Sequence, residues 1–311
     1  MTPSGVSRVV LPFAAVTLIW GTTWYVIKTQ LGVVPPQWSV TYRFAVASAL
    51  MFGACILMRR TLRFPPSAHG FFLLLGLLQF AGNFNFVYQA SRSVTSGLIA
   101  VVFALLVVPN TLFAWLFLKQ PISRRFMIGA GLGIVGVALL FQRELTETGW
   151  SGAFATGLAL TGCAVIVASI SNVMQGTVRA RSYDMFGMLA FAMFYGALID
   201  AVAAWVTSGP PVVEWTPLYL GGVFYLAAFA SALAFVLYFN VIRIVGPAWA
   251  GYTNVLVPFI AMTISTILEG YRWTPLAVAG AVLTIVGLVI ALRARSVPAG
   301  TAAAGGTTGR S

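Results

Sequence analysis

Charged residues interrupt this chain so rarely that its pattern is read from the gaps between them. Stretches free of Asp, Glu, Lys and Arg run over 9–27, 70–91, 93–118, 126–142, 148–178, 215–242, 244–268 and 273–292. Two further apolar stretches hold one charge each: 38–58 contains Arg43 and 185–206 contains Asp200. A hydrocarbon core about 30 Å thick takes roughly 20 apolar residues of helix to cross. The pattern therefore predicts an all-α integral membrane fold of ten spans joined by short connections. Residues 296–311, mostly Ala, Gly and Thr, are predicted to form a disordered cytoplasmic tail.

Composition narrows the class. The 311 residues are 59% hydrophobic and 8% charged, against roughly 25% charged in ordinary soluble domains. So few charges cannot clothe a soluble surface of this size, which excludes a soluble enzyme, a secreted disulfide scaffold and a disordered protein. The net charge of +12 is scattered between apolar runs, with no basic stripe and no RNA-reading aromatic motif. The basic residues read as topology signals, and no nucleic-acid partner is expected. With the N-terminus in the cytoplasm, thirteen of the eighteen Lys and Arg, among them Arg59, Arg60 and Arg63, fall on the cytoplasmic side. Four, Lys28, Arg92, Arg143 and Arg272, fall opposite. The positive-inside bias thus places both termini inside. The single histidine, His69, is expected in a solvated loop, and Cys55 and Cys163 as small apolar residues within spans.

The chain also repeats itself. LLVVPNTLFAWLFLKQ in span four matches VLVPFIAMTISTILEG in span nine, aligning Pro109 with Pro258 and Gln120 with Glu269. Gly129 and Gly136 then match Gly280 and Gly287, and NFVYQASRS matches AFVLYFNVIRI upstream. Each unit has five spans. An odd number forces two units in series to lie in opposite orientations, so 1–146 and 147–295 are read as inverted five-helix repeats, a geometry typical of carriers.

LIWGTTWYVIK in span one, an Arg early in span two, the two prolines and the closing E-x10-G-x6-G that begins at Glu269 together resemble the drug/metabolite transporter superfamily, in its EamA-type ten-helix branch. Gln120 stands where the first repeat would carry that Glu. Within the branch the chain is similar to YddG-type exporters of aromatic and other amino acids. The resemblance covers residues 9–295. It implies an inner-membrane carrier exporting small metabolites from a central cavity lined by helices one to four and six to nine, with helices five and ten peripheral; a monomer without a cofactor is expected.

Polar residues are costly in hydrocarbon and should face a cavity or a partner helix. Trp20 and Trp24 share one stripe of span one, four residues apart. Gln79 and Asn83 make a second such pair, and Asn85 sits close by with Tyr88. Asn172, Tyr252 and Asn254 add to the set from the second repeat, and Arg43 offers a cation for a substrate carboxylate or snorkels to the interface. An aromatic, amide-lined site of this kind suits an amino acid with an apolar side chain, and also an organic cation. Pro109 and Pro258 each free a carbonyl four residues back and are expected to act as hinges. Asp200 and Glu269 are expected near helix ends, solvated or paired. No acid lies at mid-membrane in spans one to four, so proton coupling through a buried acid is not visible, and transport is expected to run down a gradient or to be coupled by other means. No His pair, HExxH, GxSxG or phosphate-binding loop supports an enzyme, and a channel remains the remote alternative.

Overall fold

The computed structural model describes residues 3–119, 121–140, 152–250 and 253–293. They are helical, with no β-strand among the described residues. In hydrocarbon every backbone N–H and C=O must be satisfied within its own segment, which a helix does and an isolated strand does not. In chain order the helices are α1 (Pro3–Thr29), α2 (Pro36–Leu57), α3 (beginning as Pro66–Leu75), α4 (beginning as Ser96–Ala104) and α5 (Arg124–Leu140). There follow α6 (Gly152–Gln175), α7 (Met185–Ser208), α8 (beginning as Pro217–Ala227), α9 (Thr253–Leu268) and α10 (Pro275–Arg293). Prolines open α2, α3 and α8, where a missing N–H costs nothing.

Seven helices, α1 to α4 and α6 to α8, are long and apolar enough to cross a bilayer. The apolar parts of α9 (Leu256–Leu268) and α10 (Pro275–Ala291) are shorter, and α5 has 17 residues, about 25 Å of helix.

Three helices are interrupted at mid-length. α3 opens into a π turn over Gly76–Gly82 before resuming as Asn83–Ala90. α8 does the same over Ala228–Leu233 and resumes as Ala234–Ala250. α4 breaks at Leu105 and Leu106 and resumes as Val107–Leu118. The break lies one turn before Pro109, which has no N–H to donate to the Leu105 carbonyl; Val108 takes that carbonyl instead, at 2.8 Å. α9, by contrast, runs unbroken through Pro258.

Packing is closest where glycines let backbones meet. α5 lies along α10, with Gly129, Gly133 and Gly136 facing Gly280 and Gly287. A Cβ on Gly136 would stand 2.5 Å from the Thr284 backbone nitrogen. α2 lies along α7, and the first half of α4 along α9. α1 packs on α9 and on the second half of α8, while α6 packs on the second halves of α3 and α4. Gly21 makes the α1–α9 contact so close that a Cβ there would come 2.6 Å from the Ile260 Cβ.

Two boundary expectations are corrected. Arg243 does not mark a loop: α8 continues to Ala250, and the guanidinium instead donates to the Ala180 carbonyl at 2.9 Å. A long cation can reach exposed carbonyls of a neighbouring turn, so its charge need not end its helix. His69 lies in α3 and bonds the Tyr195 hydroxyl at 2.8 Å through Nδ1.

Candidate functional site

At the centre of the bundle a cavity of about 70 Å³ opens between seven helices. α1 supplies Trp20, Thr23, Trp24 and Ile27; α3 supplies Gln79 from its π turn and Asn83, Phe84 and Val87 beyond it. Arg43 comes from α2, Phe103 and Leu106 from α4 and its break, Asn172 from α6, Phe235 and Tyr238 from α8, and Val257 from α9. That is smaller than the roughly 300–1,000 Å³ of typical small-molecule sites.

Six of the sequence-predicted residues meet here: Trp20, Trp24, Arg43, Gln79, Asn83 and Asn172. Trp20 is held by an indole hydrogen bond to the Ala230 carbonyl at 3.2 Å, and its ring packs on Tyr238 and Phe235 with centroids 4.8 and 5.5 Å away. That carbonyl is available because Ala230 lies in the π turn of α8. Trp24 packs on Phe103, centroids 4.8 Å apart, with its indole nitrogen lacking an acceptor. Gln79 Oε1 and Asn83 Oδ1 are buried acceptors without donors.

Arg43 is fully buried. Its Nε donates to Ser231 Oγ at 2.9 Å, again in the α8 π turn. Its guanidinium lies 4.1 Å from the centre of the Phe84 ring and 5.2 Å from that of Phe44. Such a desolvated cation–π contact contributes about 2 kcal/mol. Both terminal nitrogens lack acceptors, and the Tyr88 phenol stands beside them outside hydrogen-bonding geometry. Snorkelling to the interface is therefore not what this side chain does.

Two predicted residues lie off the cavity. Asn85 is turned away, its amide donating to the Ala81 carbonyl at 2.9 Å and to Asp200. Tyr88 is buried behind Arg43. Asn85 stands two residues beyond Asn83 in the regular part of α3, about 200° round the helix, so the two amides face opposite ways and Asn85 meets Asp200 of α7. Tyr252 lies outside the described residues, and of Asn254 only its place in the first turn of α9 is described. Pro109 and Pro258 flank the cavity helices without lining it. Asp200 is not solvated as expected: it is 1% exposed and bonded to Asn85.

Sequence reasoning missed Phe84, Phe103, Phe235 and Tyr238. Phe235 and Tyr238 lie three apart on one helix face, inside the run that repeats α3. The repeat itself was the signal that could have found them.

At the bundle end that carries Lys28, an ion pair joins two helix ends. Lys28 Nζ lies 2.9 Å from Glu269 Oε1. The same carboxylate accepts from the Ser96 backbone N–H at 3.2 Å and from the Ser96 hydroxyl, capping the start of α4. One acid thus ties together the ends of α1 and α9 and the beginning of α4. Burial pushes the Glu269 carboxyl up, but its bonds to Ser96 and its ion pair with Lys28, with the Ser265 hydroxyl nearby, outweigh that and hold it below its ordinary 4.5. At the opposite end Arg60 lies 3.6 Å from Asp184, and Arg179 donates to the Ser67 carbonyl at 2.6 Å.

With this geometry in hand, the chain was compared with known proteins. The sequence pattern of the EamA-like transporter family matches it twice, over residues 8–142 and 155–293. The PagO protein of Salmonella typhimurium is 25% identical over 289 residues, covering 92% of this chain and 93% of its own. An uncharacterized transporter of Bacillus subtilis, YoaV, is 22% identical over 82% of this chain and 86% of its own. An S-adenosylmethionine/S-adenosylhomocysteine transporter of Chlamydia trachomatis is 21% identical over 83% of this chain and 80% of its own. A solved crystal structure shares the fold with a TM-score of 0.70 at 17% identity, over 93% of this chain and 98% of that one.

Proposed function

The chain belongs to the EamA-like transporter family, and from that membership we propose a ten-span carrier that exports small metabolites, foremost amino acids with apolar or aromatic side chains. Transport by a multi-pass membrane protein of the drug/metabolite transporter superfamily is the family's trait, and the chain is a transporter rather than an enzyme. The substrate class and the mechanism are the proposal.

The observation that carries it is the polarity of the cavity wall. Arg43 presents donors without acceptors, and Gln79 and Asn83 present acceptors without donors. A carboxylate would satisfy the first and an ammonium the second, while Trp20, Trp24, Phe84, Phe103, Phe235 and Tyr238 surround the remainder. A zwitterion with an apolar side chain answers all three demands at once.

Two inverted five-helix units, 1–146 and 147–295, are supported by the pairing of contacts. Shifting each helix number by five turns the α1–α9 contact into α6–α4 and the α3–α6 contact into α8–α1. The π turns of α3 and α8 fall at matching places. Alternating access then follows from exchanging the two units' conformations. The Lys28–Glu269–Ser96 contact ties the ends of α1 and α9 to the start of α4, and the bias of Lys and Arg supports reading that end as external and both termini as cytoplasmic. The second half of α4, beyond its break, packs mainly on α6. Pro109 is the proposed hinge that lets it swing to enlarge the cavity; Pro258 would bend in the opposite state. We place the carrier in the bacterial inner membrane as a monomer.

Counterflow in proteoliposomes with the twenty amino acids, S-adenosylmethionine and a set of quaternary ammonium cations tests the substrate class. Exchange of phenylalanine or tryptophan is the expected result, and exchange confined to cations overturns the reading. S-adenosylmethionine is included because a relative carries it, and because its amino-acid end presents the same ammonium and carboxylate.

A further inference from the structure

Asp200 is an acid in the wrong solvent. It lies two thirds of the way along α7, is 1% exposed, and among the described residues forms no ion pair with Lys, Arg or His. One carboxyl oxygen accepts from the Asn85 amide; the other, Oδ2, is buried without a partner. A lone carboxylate in an apolar interior with a single neutral donor is strongly disfavoured as an ion. Ionisable groups held this way inside membrane helices mark ion or proton pathways.

Its surroundings connect it in two directions. Toward the Lys28 end, an open funnel of about 660 Å³ is lined by Gln89, Ser91, Arg92, Thr207 and Ser208 among others. Thr207 is seven residues beyond Asp200 on the same helix, about 10 Å of rise, and Gln89 is one turn beyond Asn85. Toward the bundle centre, Tyr88 is fully buried one turn beyond Asn85 and beyond Phe84, on whose ring the Arg43 guanidinium sits, and Arg43 lines the substrate cavity. Asp200 with Asn85 thus lies on helices whose ends border the funnel on one side and whose neighbours include the cavity residue Arg43 on the other. Of the other titratable groups on the helices around α7, Cys55 of α2 is a buried free thiol and Arg243 of α8 donates to the Ala180 carbonyl. The Tyr42 hydroxyl donates to the Val212 carbonyl, Tyr219 bonds Ser39 and His69 bonds Tyr195.

We propose that Asp200, held by Asn85, is a proton-binding site that couples transport to proton exchange. The proton is taken from water in the funnel onto a carboxylate oxygen and returned to water as the bundle changes state. A substrate carboxylate at Arg43 alters the charge beyond Tyr88, so substrate and proton occupancy are linked in free energy. The coupling rests on the alternating-access reading above; the proton site itself does not.

The test uses full-length protein in proteoliposomes with phenylalanine as probe, alongside infrared titration. Six carboxylic side chains in the chain make the protonated-carboxyl band assignable. The wild type should show such a band at neutral pH, missing from D200N, and an imposed pH gradient should stimulate its phenylalanine uptake several-fold. D200N should transport without responding to the gradient. N85L, which keeps the acid and removes its donor, should shift the band and serves if D200N is not recovered folded. Absence of a neutral-pH band that depends on Asp200 overturns the proposal. So does phenylalanine transport by wild type and D200N with the same gradient response. If no variant carries phenylalanine, the substrate reading has failed, and the infrared band alone decides the proton site.

Discussion

Arg43 illustrates how a single residue is set by its neighbours. Nε is spent on Ser231, the guanidinium face on Phe84, and only the terminal nitrogens remain toward the cavity. A lysine cannot divide itself this way, because an ammonium is a point charge without a planar fork. R43K should therefore lose about tenfold or more in transport, roughly 1.4 kcal/mol or above, while inserting normally; counterflow and membrane-fraction immunoblotting check both. Trp20 is fixed from the α8 π turn and forms one aromatic wall. W20A should cut uptake at least as much, and unchanged uptake would remove Trp20 from the site. Most of the site's polar members could be read from sequence because a polar residue in an apolar run has few places to go. Asn85 shows the limit of that rule. It too left the lipid, but to reach Asp200 rather than substrate, and nothing in a one-dimensional pattern distinguishes those two destinations.

At the scale of helices, small residues and interruptions decide what can move. The α5–α10 seam is glycine against glycine, with no room for a Cβ at Gly129, Gly136, Gly280 or Gly287. G136L should separate the two backbones and lower the thermal midpoint of the purified carrier by several degrees, read by thermal-shift chromatography. The break in α4 is the reverse device. P109A restores the donor to the Leu105 carbonyl and should favour a continuous helix, slowing turnover more than it weakens substrate affinity. Rates and half-saturation measured together separate the two effects. The prolines match in sequence, yet only α4 is broken. Under the proposed inverted repeat, such a difference between matching helices is what alternating access requires.

For the whole molecule, the Glu269 latch gives a pH dependence with a definite sign. Its carboxyl is held below its ordinary 4.5 in the folded state. The contribution to stability is therefore complete above about that value and is lost as pH falls through the lower folded value. E269Q should flatten this acid dependence of the thermal midpoint. An unaltered profile would show that the latch contributes nothing to stability. Fusion reporters at either terminus give the orientation, with cytoplasmic signals at both ends as the expected outcome.

The sequence alone settled that the chain is helical, that it crosses a membrane and that it belongs among transporters. Scarcity of charge, run length and the Pro and Gly spacing are one-dimensional quantities, and a bilayer leaves few folds able to satisfy them. The tertiary structure decided which polar groups share a space. It required two π turns, invisible in periodicity, to aim Gln79 into the cavity and to offer the Ala230 carbonyl and Ser231 hydroxyl to Trp20 and Arg43. It also moved Asp200 from an assumed helix end into a dry interior, because burial depends on what α2 and α3 pack against α7, which no count along the chain records.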